Sequence, residues 1–273
     1  MNILITNDDG IYSPGIAALA HVAAGFGEVR IVAPHVEMSS AAHSITSARP
    51  LTYRRTPLAG VDASRVNGTP ADCVAIGVFQ WKDVDVVLSG INLGSNLGNS
   101  VWPSGTLAAA RQAALMGVRG IALSTPAQGE EIEFETLKPW VARVLRFLLP
   151  LAHLPLVNVN FPAQAPHGVR WTRQSVRHYD GRIVPGQDPM GREHFWFTVT
   201  PQEGVEEGTD RWAVGQGLVS MTPIRLDLTD EADLARALTL SDIPAAKVSG
   251  KHRQRRSSST SPSSSKSKSS SKG

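Results

Sequence analysis

The chain has one cysteine, Cys73, among its 273 residues, so no internal disulfide can form and a reducing compartment is expected. It has no apolar run of about 18 residues, the length a membrane-spanning helix requires. Even Trp140–Leu154 is broken by Arg143 and Arg146. The N-terminus passes from the apolar Asn2–Ile5 straight into Asn7-Asp8-Asp9-Gly10, without a basic leader, a long apolar core or a cleavage site. A secretion signal is therefore not expected, and the cytoplasm is the expected location. Acidic residues are missing from 247–273, which carry eight Lys/Arg; subtracting these from the net charge of +3 leaves −5 for residues 1–246. The sequence pI near 9.2 thus belongs to the tail, and the body is mildly acidic. With almost nothing apolar to bury, the Ser/Lys/Arg-rich tail is expected to be disordered. A solvating extension is the reading preferred over a nucleic-acid-binding arm.

What is present is a large α/β pattern. Hydrophobic residues make up 41% of the chain, ample for a core. Strand-like runs alternate with helical ones: Asn2–Thr6, then Gly15–Ala24; Val29–Ala33; Ala71–Gln80, then Val84–Ser89; Thr106–Met116, then Gly120–Ser124; Leu137–Leu149, then Leu156–Asn160. Val29–Ala33 and Val84–Leu88 are continuously apolar, as in a parallel sheet covered by helices on both faces. The expected fold is a doubly wound, mostly parallel, Rossmann-like α/β sheet. After Pro162 the segments Val169–Gln174, Glu193–Thr200 and Leu218–Ile224 read as hairpins or an arm, followed by a last helix over Glu231–Leu240. The expected division is one folded domain over 1–246, with an arm at 169–210, and the tail 247–273.

Three polar clusters follow predicted strands: Asn7-Asp8-Asp9-Gly10; Ser39-Ser40 with His43-Ser44; and Ser89-Gly90-Ile91-Asn92 running on to Asn96. Open α/β sheets bind ligands at the carboxyl ends of strands, at a topological switch point, so these loops are expected to converge. Singly, each reads equally well as a turn or a helix cap. Together they offer two carboxylates, a hydroxyl and an amide carbonyl, hard donors suited to Mg²⁺ or Mn²⁺. Ser104-Gly105-Thr106 opens the helix that follows. Its free N–H groups make an anion site, with Gly105 expected to let phosphate approach the backbone. Cation and helix terminus together equip metal-assisted hydrolysis of a phosphate ester. An aspartyl-phosphate mechanism is disfavoured because Gly10 stands two residues after Asp8, where that chemistry wants a second acid.

The sequence resembles the SurE survival-protein nucleotidases. The likeness rests on ILITNDDGIYSPGI, VAPHVEMSSAAHSIT, VNGTPADCV, DVVLSGINLGSNLGNSVWPSGTLAAA, LVNVNFP, GTD, VSMTPI and LDLT, in order over most of residues 1–230. The resemblance implies one divalent cation per subunit held by Asp8, Asp9, Ser39 and Asn92, with Asp8 and Asp9 as catalytic residues. Asn96, Ser104, Gly105 and Thr106 would line the phosphate site. The implied activity is a 5′-nucleotidase using a metal-activated water, with 3′-nucleotides or polyphosphate as alternative substrates and a non-catalytic nucleotide-binding regulator as the rival class. It also implies a homodimer or homotetramer. Departures from the family pattern fall at His35, Ser40, Asn99-Ser100 and Pro103.

Overall fold

A computed structural model describes residues 1–58, 60–127, 134–177 and 179–240. The basic tail therefore lies outside the described residues. The strands are β1 (Asn2–Thr6), β2 (Glu28–Pro34), β3 (Tyr53–Arg55), β4 (Asp62–Val66), β5 (Val86–Leu93), β6 (Arg119–Thr125), β7 (Leu156–Asn160), β8 (Gly168–Trp171), β9 (Tyr179–Gln187), β10 (Glu193–Pro201) and β11 (Leu218–Pro223). The helices are α1 (Pro14–Ala23), α2 (Pro70–Gln80), α3 (Gly105–Leu115), α4 (Phe134–Leu148), α5 (Asp210–Gly215) and α6 (Glu231–Thr239). Residues Met1–Leu228 form one compact unit, and α6 belongs to a second.

Nine strands form one sheet in the order β3-β4-β2-β1-β5-β6-β7-β11-β8. Strands β1, β2, β4, β5, β6 and β7 are mutually parallel, whereas β3 and β11 run against their neighbours β4 and β7. Alternation along β1 sends Ile3 and Ile5 to one face and Leu4 to the other. The first face packs with Leu19 of α1 and Val141 and Leu145 of α4. The second packs with Val74 of α2 and Ala109 of α3. Both faces are thus covered, as the unbroken apolar strands require.

Local sequence accounts for the helix starts. Thr69 caps α2 through a reciprocal capping box with Asp72, with Pro70 in the first turn, and Ser104 caps α3 by accepting the Leu107 N–H. The apolar residues Leu137, Val141, Val144, Leu145 and Leu148 recur at helical spacing and bury one stripe of α4.

The expectation for the C-terminal part needs correction. The segments at 169–174 and 218–224 do not belong to an arm; as β8 and β11 they complete the main sheet. Among the described strands only β9 and β10 stand apart, as a two-stranded antiparallel ribbon. Strand β5 also runs past Ser89 to Leu93, with a register shift against β6 between Ser89 and Asn92, so the third polar cluster lies in an irregular strand end rather than in a loop.

Candidate functional site

Chain order places the switch point between β1 and β5: from β1 the chain moves to β2 on one side, and β5 returns on the other. Asp8 and Asp9 leave the end of β1, and Asn92 sits at the end of β5. A crevice of about 510 Å³ there is lined by Asp8, Ser39, Asn92, Asn96 and Ser104, together with Ser40 and Pro103. Asp9 faces an adjoining cleft that shares Ser39 and Leu93 with the first.

Asp8 is almost fully buried, and its Oδ1 accepts a 2.6 Å hydrogen bond from the Thr106 hydroxyl. Burial pushes its carboxyl above the ordinary carboxylate range, against the pull of the Thr106 side chain and backbone. Asp9 accepts from the Leu93 N–H at 3.3 Å. Burial, then the charges of Asp8 and Glu37, raise its carboxyl to about 7. Among the described residues no ion pair includes either aspartate, so two adjacent acids are crowded with no basic residue to offset them. Such a pair is costly unless a cation joins it. No group of three or more His, Cys, Asp or Glu side chains forms a metal-type cluster among the described residues. A cation here must therefore complete its shell with neutral oxygens. Asn92 fits that need, since its side-chain N–H donates to Gly94 O at 2.7 Å and its carbonyl oxygen is the atom left to coordinate. The Ser39 hydroxyl donates to Glu37 at 2.7 Å, which keeps its lone pairs available.

The helix terminus departs from expectation. Thr106 is fully buried and its single hydroxyl proton goes to Asp8, so it does not line the crevice as a phosphate ligand. Gly105 makes room for Asp8: a Cβ there would lie 2.8 Å from Asp8 Cβ and 2.9 Å from its Oδ2. The start of α3 is thus a seat for the Asp8 carboxylate. Ser104 and Asn96 remain on the crevice wall.

Asn96 is held from three sides. Its N–H donates to Asn160 Oδ1 at 2.8 Å, its side chain donates to Ser124 Oγ at 2.8 Å, and its carbonyl accepts from Asn158 and Asn160 at 2.8 and 3.1 Å. The loop beyond it is clamped by Asp210, a fully buried carboxylate that accepts from the Gly98 N–H at 3.0 Å and from the Ser175 N–H and hydroxyl at 2.9 and 2.6 Å. Sequence reasoning assigned no role to Asp210 or Glu37. The GTD motif marks Asp210 as part of a family pattern, yet nothing local points to a partner 112 residues away. His43 bonds Gln112 of α3 at 2.9 Å, outside the crevice lining.

The Ser39 loop is pinned at its far end, where Thr69 donates to Ser44 O and Asp72 accepts from the Thr46 N–H. Ahead of those anchors Ser40 has φ +60, a left-handed conformation unusual for a residue with a side chain. Ser40, one of the departures from the family pattern, thus has a backbone that favours glycine.

Fold and site define a doubly wound α/β protein with an acidic, oxygen-lined crevice at its switch point. The model of the Survival protein SurE family matches residues 3–181, and the chain belongs to the SurE family. A Thermus thermophilus protein named 5′-nucleotidase SurE 1 is 46% identical over 234 residues, which cover 84% of this chain and 93% of that one. A Deinococcus radiodurans 5′-nucleotidase SurE is 42% identical over 245 residues, covering 87% and 91%. Among solved structures, the SurE protein from Aquifex aeolicus aligns with a TM-score of 0.77 at 36% identity, over 89% of this chain and all of that one.

Proposed function

We propose that this chain is a metal-dependent 5′-nucleotidase that hydrolyses nucleoside 5′-monophosphates to nucleoside and phosphate. The observation that carries the reading is the pair Asp8, buried, and Asp9, half-buried, acids without a basic partner at the switch-point crevice, in a chain whose relatives are named for this activity. Asp8, Asp9, Ser39 and Asn92 are the proposed ligands of one Mg²⁺ or Mn²⁺ per subunit, the hard donors such a cation prefers. When bound, the cation offsets phosphate charge and acidifies a water for attack.

The remaining work falls to the protein. Thr106 and Gly105 orient Asp8 by hydrogen bond and by close packing. Asn96 and Ser104 present polar groups to the phosphate from the crevice wall, and Asp210 holds the loop between them in register through Gly98. Positioned polar groups of this kind favour charge that develops in the transition state because they need no reorganisation.

The proposed catalytic body is residues 1–246, with 247–273 as an appendage. The proposed assembly is a homodimer or homotetramer through the β9–β10 ribbon, the part of 169–210 that stands apart from the main sheet, supported by Phe195 and Trp196, which are exposed on it. No helix among the described residues is long and apolar enough to cross a membrane. A cytoplasmic location is proposed on the strength of Cys73, a lone buried thiol. The test is phosphate release by the purified chain across nucleoside 5′- and 3′-monophosphates and polyphosphate, with Mg²⁺, with Mn²⁺ and with chelator. Release that is fastest on 5′-monophosphates and abolished by chelator is expected. Nucleotide binding without release would leave a binding regulator instead.

A further inference from the structure

The reaction just described makes no use of an apolar wall in its crevice. Phe197 and Val199 of β10 line the same crevice as Asp8, Asn96 and Ser104. Residues alternate along β10, so Phe197 and Val199 share one face of the ribbon. Phe197 is 67% exposed, yet its ring is seated: it pairs across the ribbon with Ile183, and a Cβ on Gly181 would lie 2.5 Å from Phe197 Cζ. The missing side chain at residue 181 lets the ring lie against the ribbon backbone. A volume of about 510 Å³ exceeds the needs of a phosphate alone, and falls in the range of roughly 300–1,000 Å³ usual for small-ligand sites. The crevice therefore pairs a polar end, with Asn96 and Ser104, with an aromatic end.

We propose that Phe197, seated on Gly181 and flanked by Val199, is the platform on which the base of the nucleoside monophosphate stacks. This rests on the nucleotidase reading and deepens it by naming the residue that separates nucleotides from phosphate esters lacking a base. Stacking on an aromatic side chain tolerates any base, because every base offers a π-face. Phe197 thus selects for the presence of a base rather than its identity. Tyr12 is the competing aromatic. It lines the adjoining cleft with Asp9, and neither Asn96 nor Ser104 reaches that cleft, so a base attached to phosphate at Asn96 and Ser104 lies on the Phe197 side.

The test compares kcat/KM for AMP and for ribose 5-phosphate, the same ester without a base, using the full chain with Mg²⁺ or Mn²⁺. In Phe197→Ala the ratio of AMP to ribose 5-phosphate should fall about tenfold, through KM, and in Phe197→Trp it should return. An unchanged ratio in Phe197→Ala overturns the assignment. So does an equal loss on both esters, with or without a change in mass by light scattering, since Phe197 would then support assembly or fold. A ratio that falls in Tyr12→Ala instead puts the base in the other cleft and also overturns it. Failure of the underlying reading is distinct: the wild-type chain would release no phosphate from AMP, and the inference would fall with it.

Discussion

The crevice at the end of β1 and the β9–β10 ribbon are built in opposite ways. At the crevice polar groups are buried and bonded to one another: Asp8 to Thr106, Asn96 to Ser124, Asn158 and Asn160, and Asp210 to Gly98 and Ser175. On the ribbon large apolar side chains face outward, with Phe195, Trp196 and Phe197 each more than 60% exposed. Buried polar groups are retained at a cost in desolvation and suit a polar ligand. Exposed apolar groups on a paired ribbon suit a partner surface or the apolar part of a ligand. One compact unit thus carries both halves of a nucleotide's chemistry.

The largest effect should come from the acids. Asp8→Asn or Asp9→Asn is expected to lower metal-dependent phosphate release by about two orders of magnitude or more, with an unchanged circular dichroism spectrum, because one of two carboxylates is neutralised. Wild-type turnover in a folded variant would remove the pair from the mechanism. Gly105→Val should follow closely. Because a side chain at residue 105 collides with Asp8, it should weaken cation binding by calorimetry along with turnover. Lost turnover at full cation affinity would return this glycine to a role in phosphate approach.

The ribbon should respond in assembly. Light scattering at micromolar concentration is expected to give a dimer or tetramer, and replacing Phe195 and Trp196 together by Ser should shift the mass toward the monomer. A wild-type monomer would break the comparison on that side.

A smaller effect concerns pH. A raised Asp9 carboxyl favours the folded chain while it is protonated. That contribution is present below its ordinary value of 3.8 and is lost as pH rises to about 7, and Asp8 acts in the same direction. In chelator, the melting temperature of Asp9→Asn should therefore gain on that of the wild type as pH rises across this window, and Mg²⁺ should offset the wild-type loss at high pH. A constant difference would show that Asp9 ionises freely. The smallest effect is expected at Ser40. Glycine accepts φ +60 without penalty, so Ser40→Gly should stabilise the chain by about 1 kcal/mol in denaturant unfolding.

Much of the parallel half of the fold was legible because its signals are local. Val29–Ala33 and Val84–Leu88, continuously apolar, read as strands covered on both faces, and Ala71–Gln80 and Thr106–Met116 read as helices between strands. The short strands β3 and β4 were not legible: in β3, at the edge of the sheet, Tyr53, Arg54 and Arg55 are all exposed and carry no buried face to set a period, and in the five-residue β4 the polar Ser64 is buried beside Ala63, which leaves no apolar alternation to read. Strands β8 and β11 looked like hairpin segments because their partners lie far away in sequence, β11 against β7 and β8 against β11. The candidate site divides in the same way. Asp8, Asp9, Ser39, Asn92 and Asn96 were visible as polar residues after strands, whereas the duties of Thr106, Gly105 and Asp210 were not.

Sequence alone determined the alternation of strand and helix, the caps of α2 and α3, the family pattern, and the pairing of two acids at the first strand end, since each depends on residues a few positions apart. Tertiary structure decided that Thr106 serves Asp8 across 98 residues, that Asp210 clamps Gly98, and that Phe197 reaches the crevice. These contacts arise where sheet, helix and ribbon pack together, and no local pattern encodes which distant side chain fills the space beside a given one.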